Sequence, residues 1–248
     1  MGGKLANTAG ESAVPSPFWE IREGEFIAPD SLKNVRSAEG EEIAEKVRGI
    51  ENGLTVFLRG SLLECSAPFP LADSDLLVVY DGSWQLDELR CRLPPGRIYD
   101  IKLIRRECLH EDYVFHALLQ CRSLRLCGPP LAKSPIRADK RFAWEHWVKY
   151  CPSLLPALVR TEIPEALRHF KLLARCFGVL SFLKNCAFTR DIDACVEFAR
   201  DEGPLFAAKL TEIRESLESC SNRSVPCYEL KSELIRRFDV YYKGSPLI

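Results

Sequence analysis

Eighteen consecutive apolar residues occur nowhere in this chain, so nothing in it reads as a membrane-spanning helix, and no membrane partner is expected. The opening stretch MGGKLANTAGESAVPSP holds no apolar core of signal-peptide length. Ala6 stands where a myristoylation signal carries Ser or Thr. The eleven cysteines form no CxxC pair and share no zinc-ligand spacing with the four histidines, which points to reduced thiols in a cytoplasmic protein. His110, His116, His146 and His169 are isolated from one another in the sequence, so no Ser-His-Asp or Cys-His set can be assembled. Charge of one sign is also missing. A formal net charge of −1 argues against binding nucleic acid mainly by charge.

What is present is ordinary globular composition, with 46% apolar and 28% charged residues over 248 positions, enough for one large domain or two modest ones. Residues 1–16 are small and polar and read as a disordered tail. FWEIREGEFIAP reads as a short strand pair. Ile43, Ala44, Val47 and Ile50 make the stripe of an amphipathic helix across Glu39 to Asn52. LTVFLR and DLLVVY are nearly continuous apolar runs, as in strands covered on both faces, and RIYDIKLI alternates. HEDYVFHALLQCRSLRLCG reads as one helix ending near Gly128. The basic, broken LAKSPIRADKR marks a boundary, with Lys133, Arg137, Lys140 and Arg141 read as a wet linker. Trp144 and Trp147, three apart, read as core residues. Beyond the boundary only helical patterns appear, over 164–185, then through Ile192, Cys195, Val196 and Ala199, through Phe206, Leu210, Ile213 and Leu217, and from Ser224 and Pro226 through Leu230, Leu234 and Phe238. The expected fold is α+β: a mixed-sheet domain over 17–132, then an all-α helical bundle over 133–248.

The chemistry gathers in FLRGSLLECSAPFPLADSDLLVVY, residues 57–80. Asp73 and Asp75 lie two apart at the start of a strand, so both project from one face. Two carboxylates on one face are costly packing and good metal ligands. Asp100, on the alternating strand that follows, would complete a three-carboxylate cluster, with Glu107 or Glu111 as alternatives if the register differs. Hard oxygen ligands of this kind suit Mg²⁺ with substrate phosphates filling its sphere. Gly60 and Ser61 close a strand and open a turn where backbone N–H groups and a hydroxyl can meet a phosphate. Phosphate donors facing metal-binding acids suit in-line nucleotidyl transfer assisted by two metals.

GS followed by Asp-x-Asp and an apolar strand resembles the signature of the polymerase-β-like nucleotidyltransferases. The helix expected to end in LRLCGPPL, and the helical half with TRDIDACVEFA, resemble the layout of bacterial aminoglycoside adenylyltransferases of the spectinomycin/streptomycin type. The resemblance implies the nucleotidyltransferase fold and transfer of AMP from ATP to a hydroxyl of a small molecule, with antibiotic resistance as the biological setting. It implies that Asp73 and Asp75 ligate Mg²⁺, that Ser61 contacts the triphosphate, and that Asp100 is the third carboxylate and general base. A Lys-Asp pair opens the corresponding helix in those enzymes and its Lys meets the phosphates; Arg190 and Asp191 take that place here. The chain departs from the pattern at Ala72 and Ser74, and LLECSAPFP replaces the usual Arg/Gly-rich turn. Asp193, Glu197 and Asp201 fall on one helix face and would hold a cationic acceptor; a solvated face explains them as well. The rival readings are a non-catalytic, antitoxin-like module that binds a protein partner, and an adenylyltransferase acting on protein or RNA.

Overall fold

The structure, a computed structural model, describes residues 16–27, 38–48, 54–60, 63, 74–82, 86–111, 113–151, 163–218 and 228–247. Of the residues singled out above, Ala6, Ile50, Asn52, Ser61, Ala72, Asp73, Ser224 and Pro226 lie outside these segments.

The expected strand pair is a tight hairpin, β1 (Glu20–Arg22) and β2 (Glu25–Ile27), with Arg22 opposite Glu25. Its two-residue turn puts Glu23 and Gly24 at φ 51° and 79°, the left-handed pair that matches the twist of the flanking strands. The hairpin is sewn to later parts of the chain. The Trp19 N–H donates to the Phe188 carbonyl and the Phe26 N–H to the Ile136 carbonyl, both at 2.8 Å. Trp19 and Phe26 are buried among the aromatic rings of the helical half.

After α1 (Ala38–Val47), three strands follow the apolar runs: β3 (Thr55–Arg59), β4 (Ser74–Tyr80) and β5 (Tyr99–Arg105), with α2 (Leu86–Arg92) between the last two. The sheet order is β5-β4-β3-β6, where β6 is Leu124–Cys127. The β4–β5 pair is parallel and the other two are antiparallel, giving a mixed sheet. One face buries Val56, Leu58, Leu76 and Val78 against Ile43 and Val47 of α1 and Leu89 of α2. The other buries Phe57, Leu77 and Val79 against Leu109 and Leu119, the latter from α3 (Tyr113–Cys121). Covered on both sides, β3 and β4 need apolar residues at nearly every position, which is why their sequences do not alternate.

The helix read through to Gly128 is a correction. It stops at Cys121, and the chain turns into β6 on the edge of β3. Arg122 fixes the turn: it is buried and donates to the carbonyls of Ser16 and Phe18. Four residues of strand are too short for the period-two pattern to show against the preceding helix.

The C-terminal half is α4 (Lys140–Tyr150), α5 (Ile163–Asn185), α6 (Ile192–Glu202), α7 (Pro204–Glu218) and α8 (Tyr228–Gly244). Asp139 caps α4 by accepting from the Phe142 N–H, and Asp191 caps α6 by accepting from the Ala194 N–H, both at 2.9 Å. Pro204 opens α7, where its missing N–H costs nothing. Helix α5 is the centre of the bundle: Phe170, Phe177, Phe182 and Leu180 are buried, as its all-round apolar sequence requires. Trp147 is buried as expected and stacks on Phe238 of α8, but Trp144 is 48% exposed. On α4 the two indoles differ by three positions, and only Trp147 falls inside the apolar stripe. The linker reading of 131–141 also needs amendment, since Ile136 is buried and Lys140 and Arg141 belong to α4. Among the described residues no helix is long and apolar enough to cross a membrane.

Candidate active site

Strand register assembles the site. Arg59 is the Cα partner of Asp75 across β3–β4, and Asp75 is the partner of Asp100 across β4–β5. Period-two alternation puts all three side chains on the α3 face, because Phe57, Leu77 and Val79 of that face lie an even number of residues away. Three ionisable groups thus form one row at the end of the sheet, in the order plus, minus, minus. Behind it the same face is apolar on β3 and β4, through Phe57, Leu77 and Val79, and carries Lys102 on β5.

The row is tied together by its cation. The Arg59 Nη2 lies 3.0 Å from Asp75 Oδ1 and 3.4 Å from Asp100 Oδ2. The Arg59 side chain is only 7% exposed, Asp75 is 17% exposed and Asp100 43%. Exposure therefore rises across the row, and Asp100 is the member open to solvent. The Phe115 ring of α3 sits 5.6 Å from the guanidinium carbon of Arg59, and 3.6 Å and 5.7 Å from the ammonium groups of Lys149 and Lys102. Its ring face is a natural seat for cations. Lys102, Phe115 and Lys149 also line a cavity of about 720 Å³ with Tyr80, Glu111 and Glu145.

Gly60 follows Arg59 and is required twice over. Its φ of 83° lies in the left-handed region, and a Cβ built there would stand 1.9 Å from Asp75 Oδ2. The turn it opens closes with the Leu63 N–H donating to the Gly60 carbonyl at 3.0 Å. The Gly-Ser turn and the Asp-x-Asp strand are therefore in van der Waals contact through Gly60 and Asp75. A Gly60→Ala replacement is expected to push the Asp75 carboxylate out of the row at a cost of about 1–3 kcal/mol. Chemical unfolding checks it; an unchanged midpoint would show that the close approach is not needed.

Of the residues expected from the sequence, Gly60, Asp75 and Asp100 come together. The other two residues of the motif, Ser61 and Asp73, lie outside the described segments. Arg190 is 4% exposed at the entry to α6, next to the Asp191 cap, and its positive charge is felt by His146. The His146 ring is fully buried, which holds its pKa well below the usual imidazole value, with Arg190 adding to the effect. The His146 Nδ1–H donates to the Phe142 carbonyl at 3.0 Å in the neutral form this environment favours. The histidines are not all isolated: the His110 and His116 rings are 5.3 Å apart, because the turn before α3 folds back on its first turns. Asp193 pairs with Arg214 at 3.2 Å and stays mostly exposed. Sequence reasoning missed Arg59. The signal was a charged residue ending an otherwise apolar strand, two positions before Ser61.

Two carboxylates in register on neighbouring strands match the hard oxygen donors that Mg²⁺ takes from proteins. By donor chemistry the residues present fit a divalent cation. Among the described residues no cluster of three His, Cys, Asp or Glu side chains is close enough to hold a metal. The cation between the two carboxylates is the Arg59 guanidinium.

No family model and no curated protein matches the sequence. The structure, however, resembles that of a spectinomycin adenyltransferase from Enterococcus faecialis, solved with ATP and spectinomycin, at 14% identity and a TM-score of 0.51. The match covers 83% of this chain and 98% of that one. It spans the mixed sheet and helical half together, and the chain therefore carries the nucleotidyltransferase fold followed by a helical C-terminal part.

Proposed function

We propose that the chain is a Mg²⁺-dependent nucleotidyltransferase that moves AMP from ATP onto a hydroxyl of a small molecule and releases pyrophosphate. The observation that carries this reading is the in-register pair Asp75 and Asp100 beside a glycine turn that only Gly60 can make. The structural likeness to an adenyltransferase supports it at the level of fold. Asp73, Asp75 and Asp100 would hold the metal, which when bound supplies positive charge against the phosphates and aligns them for in-line displacement.

The protein's own residues divide the remaining work. Gly60 lets the chain approach a phosphate without side-chain obstruction, and Ser61 adds a hydroxyl donor. Arg190 is assigned to the phosphates as well. Asp100, the exposed member of the pair, would accept the proton of the attacking hydroxyl. Asp75 packs against Gly60, which limits its movement, as suits a ligand. The cavity on the same face is of the size that receives small molecules. An aminoglycoside is the first acceptor to test.

The test is calorimetric titration of ATP into the protein with Mg²⁺ and with EDTA, beside an Asp75→Asn variant. Binding that requires Mg²⁺ and weakens at least about tenfold in the variant is expected. A folded protein that binds neither ATP nor the other three nucleotides would end the transferase reading and favour a module that binds a protein.

A further inference from the structure

We propose that Arg59 is a resident counter-ion that competes with the divalent cation for Asp75 and Asp100, so that the metal enters only as the guanidinium gives way. The inference rests on the transferase reading for its biological meaning, but its physics rests on the row itself.

Three observations support it. One guanidinium nitrogen, Nη2, reaches both carboxylates, at 3.0 Å and 3.4 Å, so it occupies the space between them that a bridging cation would use. The contact is almost dry on the arginine side, at 7% exposure, where screening by water and salt is weak. The arginine is also incompletely satisfied: its Nε is buried without a hydrogen-bond partner among the described residues. A group whose donors are all bonded resists displacement, and one with an orphan donor resists less.

Charge arithmetic sets the consequence. Asp75 and Asp100 alone present two negative charges to a cation; with Arg59 between them the three groups sum to one. A divalent ion approaching the intact row meets a weakened field and a like charge at contact distance. If the guanidinium swings away it needs another partner, and a phosphate oxygen is the one a planar donor fork fits well. Metal entry is therefore expected to be coupled to nucleotide entry, with the free protein nearly blind to Mg²⁺.

Mn²⁺ alone, followed by the loss of its free-ion paramagnetic resonance signal, is the probe. Wild type, Arg59→Met, Arg59→Gln and Arg59→Met/Asp75→Asn proteins are titrated without nucleotide. Removing the competing charge is expected to tighten Mn²⁺ binding by about tenfold or more. The double variant should lose that gain, which assigns the ion to Asp75. Arg59→Gln keeps amide donors without charge and serves if Arg59→Met does not unfold cooperatively. Binding to the neutral variants no tighter than to wild type would overturn the proposal and make Arg59 a structural partner of Asp75. The two readings fail separately. A gain in Mn²⁺ affinity without any ATP binding removes the transferase and keeps the counter-ion; Mg²⁺-dependent ATP binding without the gain does the reverse.

Discussion

Asp75→Asn is expected to lower nucleotide transfer by at least about a thousandfold, and Asp100→Asn by a comparable factor through a different step. The two carboxylates are Cα partners, yet their surroundings differ. Asp75 is mostly buried, bonded to Arg59 and pressed against Gly60. Asparagine keeps its shape but removes a charge from a site built around one, so ATP binding and turnover should fall together. Asp100 is 43% exposed and shares Arg59 at a longer distance. Its replacement should weaken ATP binding less than Asp75→Asn does while removing turnover, the split expected when a metal ligand also acts on the attacking hydroxyl. Pyrophosphate release, measured with spectinomycin and streptomycin as acceptors, gives both constants. If either variant retained more than about a tenth of wild-type turnover, the row would not be the catalytic site.

How far the sequence reveals this site depends on which contacts are local. Asp73, Asp75 and Gly60 belong to one motif of two dozen residues, and their spacing exposes the chemistry directly. The approach of Gly60 to Asp75 is a non-local contact, but a hairpin-like return of β4 on β3 makes it inevitable once both are strands. Asp100 could be proposed because RIYDIKLI alternates, but the strand register was not legible, which left Glu107 and Glu111 open. Parallel pairing then brings Asp100 opposite Asp75. Arg59 was not legible. A basic residue at a strand end is ordinarily solvated, and only the register with Asp75 and the cover of Phe115 turn it inward. β6 escaped for a related reason, because its four residues are a strand only by pairing with β3. The helices were read well, since Ile192, Cys195, Val196 and Ala199 repeat every three or four positions and all four are buried.

Removing the Glu202 carboxylate is expected to be the most damaging single change outside the site. Glu202 ends α6, where the helix dipole disfavours an anion, and its side chain is completely buried. It is tolerated because cations and a hydroxyl surround it. Lys184 Nζ lies 2.7 Å from one oxygen, Arg237 Nη1 2.7 Å from the other, and the Tyr241 hydroxyl donates to that second oxygen. Arg237 also donates to the Glu202 carbonyl, which ties α8 to the end of α6, while Lys184 comes from the end of α5. Three helices meet on one carboxylate. Glu202→Ala leaves a cavity where three helices meet and takes from Lys184 and Arg237 their shared carboxylate, Arg237 keeping Glu233 at 3.0 Å, and losing such a buried charged hub costs about 3–5 kcal/mol. For a chain of this size that corresponds to a fall in Tm of roughly 6–20 °C, read by calorimetry. A Tm within about 2 °C of wild type would instead mark the network as replaceable by water. The pH dependence has its own sign. Hydrogen bonds from Arg236 and then Arg237 hold the neighbouring Glu233 carboxyl down to about 2. A folded pKa below the ordinary 4.5 means that Glu233 stabilises α8 above that pH and that its contribution disappears as the pH falls through about 2. Acid titration of Glu233→Gln should therefore flatten the lower end of the stability curve, while Glu202→Ala lowers the curve at neutral pH.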